Sequence, residues 1–273
     1  MAFEKGDGPI VAERLETALD VSGLCASFAG APVLSGVTFS APRRAVTVLV
    51  GRSGSGKTTV LRAVNRLNEC FPGYRESGSV TFHFSDGVRP HRGPRSFEAT
   101  ELRRRVAMVF QTPSPLPLSI RRNLTMPLEV LRNVRGKSAS EEVEGALRTV
   151  GLWDEVKDRL DDSAETLSGG QKQRLCLARA LALKPEMFLF DEPTASLDVR
   201  AAERLEKLIT SLSAKFPVVM VSHSLEQARR LADQLVVIES GKTVGILTKD
   251  QLAEKTESEL RLLLDGSEEV KDD

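Results

Sequence analysis

Gly51-Arg52-Ser53-Gly54-Ser55-Gly56-Lys57-Thr58 has the residue types and spacing needed to hold a row of phosphates. The glycines permit a tight loop whose backbone N–H groups converge on a β-phosphate, and a helix starting near Thr58 adds its positive dipole end. Lys57 can reach the β- and γ-phosphates, the Thr58 hydroxyl can ligate Mg2+, and Thr59 follows in the same turn. The context fits the mechanism: the apolar run Val46 to Val50 precedes the loop, and a helical run from Thr58 to about Leu67 follows it. A second centre is Asp191-Glu192, directly after the hydrophobic run Met187-Phe188-Leu189-Phe190. Neighbouring side chains on a strand point to opposite faces, so the two carboxylates can divide the work. Asp191 suits Mg2+, and Glu192 suits polarising the water that attacks a γ-phosphate. A third is Leu167-Ser168-Gly169-Gly170-Gln171, which opens a helical stretch from Lys172 to Leu183. Ser168 is either an ordinary N-cap or part of a second phosphate-binding helix start, and the residues alone leave both open.

The elements that position these groups read as α/β. Short apolar runs at 46–50, 187–190, 218–221 and 235–238 alternate with helical periodicity at 58–67, 201–212 and 225–231. Such alternation predicts a mostly parallel sheet covered on both faces. Residues 76–98 are rich in glycine and proline and predict a hairpin and long loop on a β-rich flank. Residues 112–168 open on Thr112-Pro113-Ser114-Pro115-Leu116-Pro117 and turn helical from about Ile120 to Asp158, which predicts a helical insertion into the α/β core.

Composition narrows the class. Lys plus Arg and Asp plus Glu are both 38, so there is no basic excess of the kind a nucleic-acid binder uses, and no nucleic-acid partner is expected. The basic run Arg103-Arg104-Arg105 reads as a solvated helical face. Cys25, Cys70 and Cys176 lack metal-ligand spacing and fit a reducing compartment. The first twenty residues carry Glu4, Asp7, Glu13 and Glu16 and do not read as a secretory signal, and no run approaches the length of a spanning helix.

The phosphate loop alone leaves kinases, GTPases, helicases and motors open. The order of the motifs settles the choice, because Leu167 to Gln171 matches the signature sequence of ATP-binding cassette (ABC) ATPases residue for residue. Phe28 resembles the aromatic that stacks on adenine, and Gln111 in Val109-Phe110-Gln111 resembles the Q-loop glutamine, which also attends Mg2+. Ser196-Leu197-Asp198 resembles the D-loop, with Asp198 at the nucleotide interface, and His223 resembles the switch histidine. His83 and His91 match no motif and read as structural. The resemblance runs from about Leu24 to Gly241. It implies the ABC ATPase fold (a P-loop NTPase core with a β-rich flank and an inserted helical subdomain), with ATP and Mg2+ as ligands. It also implies a head-to-tail pair of copies in which Ser168, Gly169, Gly170 and Gln171 of one copy meet the ATP held by Lys57 of the other.

Met108 to Ile120, with its Pro-x-Pro-x-Pro-x-Ser-Ile run, is similar to the phosphate-importer ATPase subgroup, as are Val64 to Asn68, Phe71-Pro72-Gly73 and Gln173 to Cys176. The departures are Phe28 where the family mostly has Tyr, Pro42-Arg43-Arg44-Ala45 before the loop's strand, and the sequence from Leu225 onward. The resemblance implies a transport ATPase on the cytoplasmic face of the membrane, working with separate permease subunits and, through them, an extracytoplasmic solute-binding protein. A soluble ABC ATPase of translation or DNA repair is the alternative, but such proteins usually carry two cassettes or long coiled-coil insertions. The expected organisation is an N-terminal extension at 1–20, an ABC ATPase domain at 21–247 with its insertion at about 112–168, and a tail at 248–273. That tail includes an amphipathic piece from Leu252 to Leu264 and a frayed end after Gly266.

Overall fold

The computed structural model describes residues 16–256 and 258–260. In chain order, β1 (Thr17–Phe28) and β2 (Ala31–Pro42) lead to β3 (Val46–Val50) and α1 (Lys57–Val64), then to the hairpin β4 (Tyr74–Phe84) and β5 (Gly87–Pro90). α2 (Ala99–Arg105) and β6 (Val106–Val109) precede a helical section of α3 (Ile120–Arg132), α4 (Gly136–Thr149), α5 (Trp153–Val156) and α6 (Gly169–Ala182). The chain then alternates through β7 (Met187–Asp191), α7 (Val199–Ser213), β8 (Val218–Val221), α8 (Leu225–Leu231) and β9 (Gln234–Glu239). β10 (Lys242–Thr248) and α9 (Lys249–Glu254) complete it.

These elements build two sheets. One is antiparallel, in the order β2-β1-β4-β5; the other has the order β10-β9-β3-β8-β7-β6, parallel except where β10 meets β9. This is the predicted α/β core with its β-rich flank.

Strand parity divides the core. Val48, Phe188, Phe190, Met220 and Val237 face one hydrophobic cluster shared with the helical section, α6 and α7. Leu49, Met187, Leu189, Val219 and Val236 face the other, shared with α1 and the antiparallel sheet. Every one of these strand residues is essentially fully buried, as expected for parallel strands covered on both sides. No helix among the described residues is long and apolar enough to cross a membrane.

Several predicted boundaries shift. β1 begins at Thr17, so the last four residues assigned to the N-terminal extension belong to a sheet; the extension before residue 16 lies outside the described residues. α1 stops at Val64 rather than Leu67 because Arg66 turns into the left-handed region at φ 60°. The helical run from Ile120 breaks at Asn133 (φ 51°) and Gly151 (φ 63°), where left-handed residues end helices. α6 starts at Gly169, three residues before the predicted Lys172, because Ser168 caps it. α7 begins at Val199, not Ala201. Within the predicted tail, Thr248 closes β10, and Leu252 and Leu260 are buried in the first core, so the amphipathic face of that piece packs onto the domain. Its continuation to Leu264, and the frayed end after Gly266, lie outside the described residues.

Candidate nucleotide site

β3, an interior strand, delivers the phosphate loop to the carboxyl end of the parallel strands. Two glycines there are closely hemmed in: a Cβ on Gly51 would lie 2.0 Å from the Ile238 carbonyl oxygen, and one on Gly56 would press on the movable end of Leu34 and lie 3.2 Å from the Val33 carbonyl oxygen. Both also hold positive φ, at 149° and 100°. The loop is tied from behind, where the Gly241 N–H donates to the Ser55 carbonyl at 3.1 Å. No side chain caps α1 and no acid occupies its first turn, which leaves the helix start suited to an anion. Arg52, Ser53 and Gly54 form the exposed rim. Lys57 is 4% exposed, and its Nζ donates to the carbonyls of Gly51 at 2.8 Å and Arg52 at 2.7 Å. Burial pushes its pKa down, while the charges of Glu192 and Asp191 oppose that shift. Both carboxylates are therefore electrostatically close to the ammonium.

Asp191 ends β7 on the same side as Met187 and Leu189, the side that faces α1. Parity thus delivers it to Thr58, whose Oγ1 donates to Asp191 Oδ1 at 2.7 Å. Arg62, one turn further along α1, places Nη2 3.8 Å from Asp191 Oδ2. A hydroxyl and a carboxylate converging in this way are hard oxygen donors of the kind Mg2+ takes. Glu192 leaves the strand at φ 48°, a left-handed conformation uncommon for a residue with a side chain. That turn aims its carboxylate at His223, whose Nε2 lies 2.5 Å from Glu192 Oε1. The two acids thus serve different partners, as the sequence predicted.

Gln111 follows β6 and is exposed. Its side chain hydrogen-bonds neither Thr58 nor Asp191, so the predicted contact with the Mg2+ site is not formed in this arrangement. Its backbone is gripped instead: Ser196 Oγ donates to the Gln111 carbonyl at 3.3 Å, and buried Gln173 Nε2 donates to the Phe110 carbonyl at 3.1 Å. Nothing in the sequence around Gln173 signals its burial or this tie, which exist only because α6 packs against β6.

Ser168 and Gln171 form a capping box on α6. Ser168 Oγ accepts from the Gln171 N–H at 3.3 Å, and Gln171 Oε1 accepts from the Ser168 N–H at 3.0 Å. Asp198 caps α7 in the same manner, accepting from the Ala201 N–H at 2.9 Å. The two capped helix starts line one cleft of about 370 Å³ with Gly169, Gly170 and Arg204. No residue of the phosphate loop lines that cleft. A side chain on Gly169 would meet nothing within 4 Å, so the signature faces outward. Ser168→Ala is expected to lower unfolding stability by about 1 kcal/mol through loss of the cap, measurable by urea denaturation.

Phe28, at the end of β1, contacts Tyr74 and Phe71. Neither partner was singled out as a site residue, because only the strand register brings residues so far apart in the chain together. His83 pairs with Asp20 at 2.7 Å and His91 with Glu76 at 2.6 Å, both away from the phosphate loop, in line with their structural reading.

A phosphate loop, an acid pair at the end of a strand two places away in the same sheet and an outward-facing signature define a class. The chain belongs to the ABC transporter family, whose pattern matches residues 34–195, and it is an ATP-binding subunit that hydrolyses ATP. Among curated relatives, it is 42% identical over 259 residues to the phosphate import ATP-binding protein PstB 2 of Mycobacterium tuberculosis, covering 92% of this chain and 90% of that protein. It is 38% identical over 247 residues to the PstB of Thermotoga maritima, covering 90% and 96%. Among solved structures, cbiO1 from Clostridium perfringens, part of the ABC transporter complex cbiONQ, superposes with a TM-score of 0.75 at 21% identity, covering 90% of this chain and 94% of that one. A bacterial Atm1-family ABC exporter with ATP bound gives 0.73 at 20% identity, covering 98% of this chain and 45% of that one. The two structural likenesses establish the fold.

Proposed function

We propose that this chain is the motor of a phosphate importer, working as a head-to-tail dimer on the cytoplasmic face of a membrane beneath two permease subunits fed by an extracytoplasmic solute-binding protein. The observation that carries the dimer is the separation of the two phosphate-facing elements: the loop around Lys57 and the cleft at Ser168 to Gly170 share no lining residue. A second copy brings them together, each signature closing on the ATP held by the other copy's loop. Phosphate as cargo rests on the relatives at about 40% identity, which are phosphate import ATP-binding proteins.

In this reading the backbone of the loop and Lys57 hold the β- and γ-phosphates. Thr58 and Asp191, with Gln111, would hold Mg2+, and the ion would neutralise charge developing on the phosphate oxygens. Glu192 orients the attacking water and withdraws its proton, and His223 steadies Glu192 from the other side. The water oxygen bonds to the γ-phosphorus as the bond to the β–γ bridging oxygen breaks, leaving ADP and phosphate.

An apolar groove of about 390 Å³ between β6, α3 and α6 supports the permease contact. Met108, Phe110, Leu116 and Leu131 line it, with Arg104 and Arg179 among the cationic residues around them. The proline-rich segment at its wall is stiffly held: the Asn123 side chain bonds the backbone of Leu116 in both directions, at 2.7 and 3.2 Å, and Arg179 Nη2 donates to the Ser114 carbonyl at 3.1 Å. Leu131→Asp, at a position 50% exposed, is expected to abolish co-purification with permease subunits from solubilised membranes while leaving ATP affinity within about twofold. A parental chain that never associates with a membrane protein would instead favour a permease-free ABC ATPase.

A further inference from the structure

Three aromatic rings meet where β1 ends and β4 begins. Phe28 closes β1, and Tyr74 stands opposite it in the antiparallel register at the start of β4. Their centroids are 5.1 Å apart with planes inclined by 45°, and Phe71 stands edge-on to Phe28 at 6.1 Å and 83°. Such geometries fix the orientation of a ring as well as burying it. Tyr74 packs against the second hydrophobic core, while Phe28 and Phe71 lie outside both cores and Phe71 is 45% exposed, so these two rings are not there to complete the interior.

Tyr74 is itself anchored. Its hydroxyl donates to Glu76 Oε2 and accepts from Asn68 Nδ2 at 3.4 Å, and the same Asn68 Nδ2 donates to the Thr59 carbonyl of α1 at 2.9 Å. Asn68 is 1% exposed. Burial, reinforced by the bond to Glu76, pushes the Tyr74 hydroxyl above its ordinary value and keeps it a donor. Burial also opposes ionisation of Glu76, but hydrogen bonds from His91 and Tyr74 and the charge of Arg92 outweigh it and hold that carboxyl below its usual range. The turn after Phe28 is clamped as well, the Ala29 N–H donating to the Gly73 carbonyl at 3.0 Å.

We propose that Tyr74 is a positioning residue for the purine base of ATP: it sets the plane of Phe28 and links that ring, through Asn68, to the helix that holds the phosphates. The proposal rests on the reading of Phe28 as the base-stacking aromatic. It explains how Phe28 is oriented where the family mostly has a tyrosine.

A bare inorganic triphosphate can fill the phosphate end without touching the rings, so comparing it with ATP isolates the effect. Equilibrium binding of both ligands is measured for Phe28→Ala, Tyr74→Leu and Tyr74→Phe. Tyr74→Leu is expected to weaken ATP about three- to tenfold, to leave triphosphate affinity unchanged and to raise the KM for ATP by the same factor; Tyr74→Phe, which keeps the ring but cuts the tie to Asn68, is expected to weaken ATP less than Tyr74→Leu does. Parental ATP affinity in Tyr74→Leu, or an equal loss for both ligands, overturns the proposal. If Phe28→Ala weakens ATP while Tyr74→Leu does not, only the role of Tyr74 falls. If Phe28→Ala has no effect, the base platform falls and the proposal falls with it.

Discussion

Glu192→Gln is expected to bind ATP as the parent does, to slow phosphate release by about 10²-fold or more, and to accumulate as an ATP-bound dimer. The substitution suits the geometry. A glutamine has the same shape, has no greater difficulty with the left-handed backbone at φ 48°, and can still accept a hydrogen bond from His223 through Oε1. What it loses is the negative charge needed to polarise water. The fold and the nucleotide site should survive while the chemical step fails, and ATP, which bridges the two copies in the proposed dimer, then persists. Steady-state phosphate release and size-exclusion chromatography with ATP read the two halves of this outcome. Turnover at the parental rate would remove Glu192 from the role of base, and slowed turnover without a dimer would separate hydrolysis from the shared-site arrangement.

Lys57→Ala is expected to fail one step earlier, at binding. The ammonium lies at the floor of the loop, 4% exposed and within hydrogen-bond reach of two loop carbonyls, so it is pre-positioned for the terminal phosphates. A hydrogen bond to a charged group contributes about 1.5–3 kcal/mol, which puts the expected loss of ATP affinity at roughly 10- to 10²-fold. Alanine also leaves the Gly51 and Arg52 carbonyls without this donor, so thermal unfolding should be followed in parallel. Undiminished ATP affinity in a folded variant would show that the phosphates are held elsewhere. The two variants should therefore differ in kind, one holding ATP without using it and the other failing to hold it.

Most of this site was legible in the sequence because its parts depend on short-range rules. A glycine-rich turn between a buried strand and a helix identifies the phosphate loop without any tertiary information. Strand parity foretold that Asp191 and Glu192 would part ways, and the structure gives each its partner, Thr58 and His223. The choice left open at Ser168 is half resolved: its hydroxyl does cap α6, while Gly169 beside it remains open to an approaching group. Features made by long-range packing escaped. Tyr74 reaches Phe28 only through the pairing of β1 with β4, and Gln173 reaches Phe110 only because α6 lies against β6. Nor could a list of residues reveal that Gln111 would be held by its backbone, with its side chain away from Thr58 and Asp191.

The order of the parallel strands has a consequence for how the two ends of the machine communicate. Reading across from β3, the sheet places the phosphate loop, then the strand leading to His223, then the one ending in the acid pair, and last the strand leading to Gln111 and the apolar groove. Three strand spacings separate the first from the last, about 14 Å. If the groove seats a membrane partner as proposed, the path from it to the phosphate loop runs sideways along one rim of the sheet and meets the acid pair at the end of β7 on the way. On that proposal, a push at the groove would reach the water-handling end of the site first, and the timing of hydrolysis would be more exposed to the membrane partner than the grip on ATP.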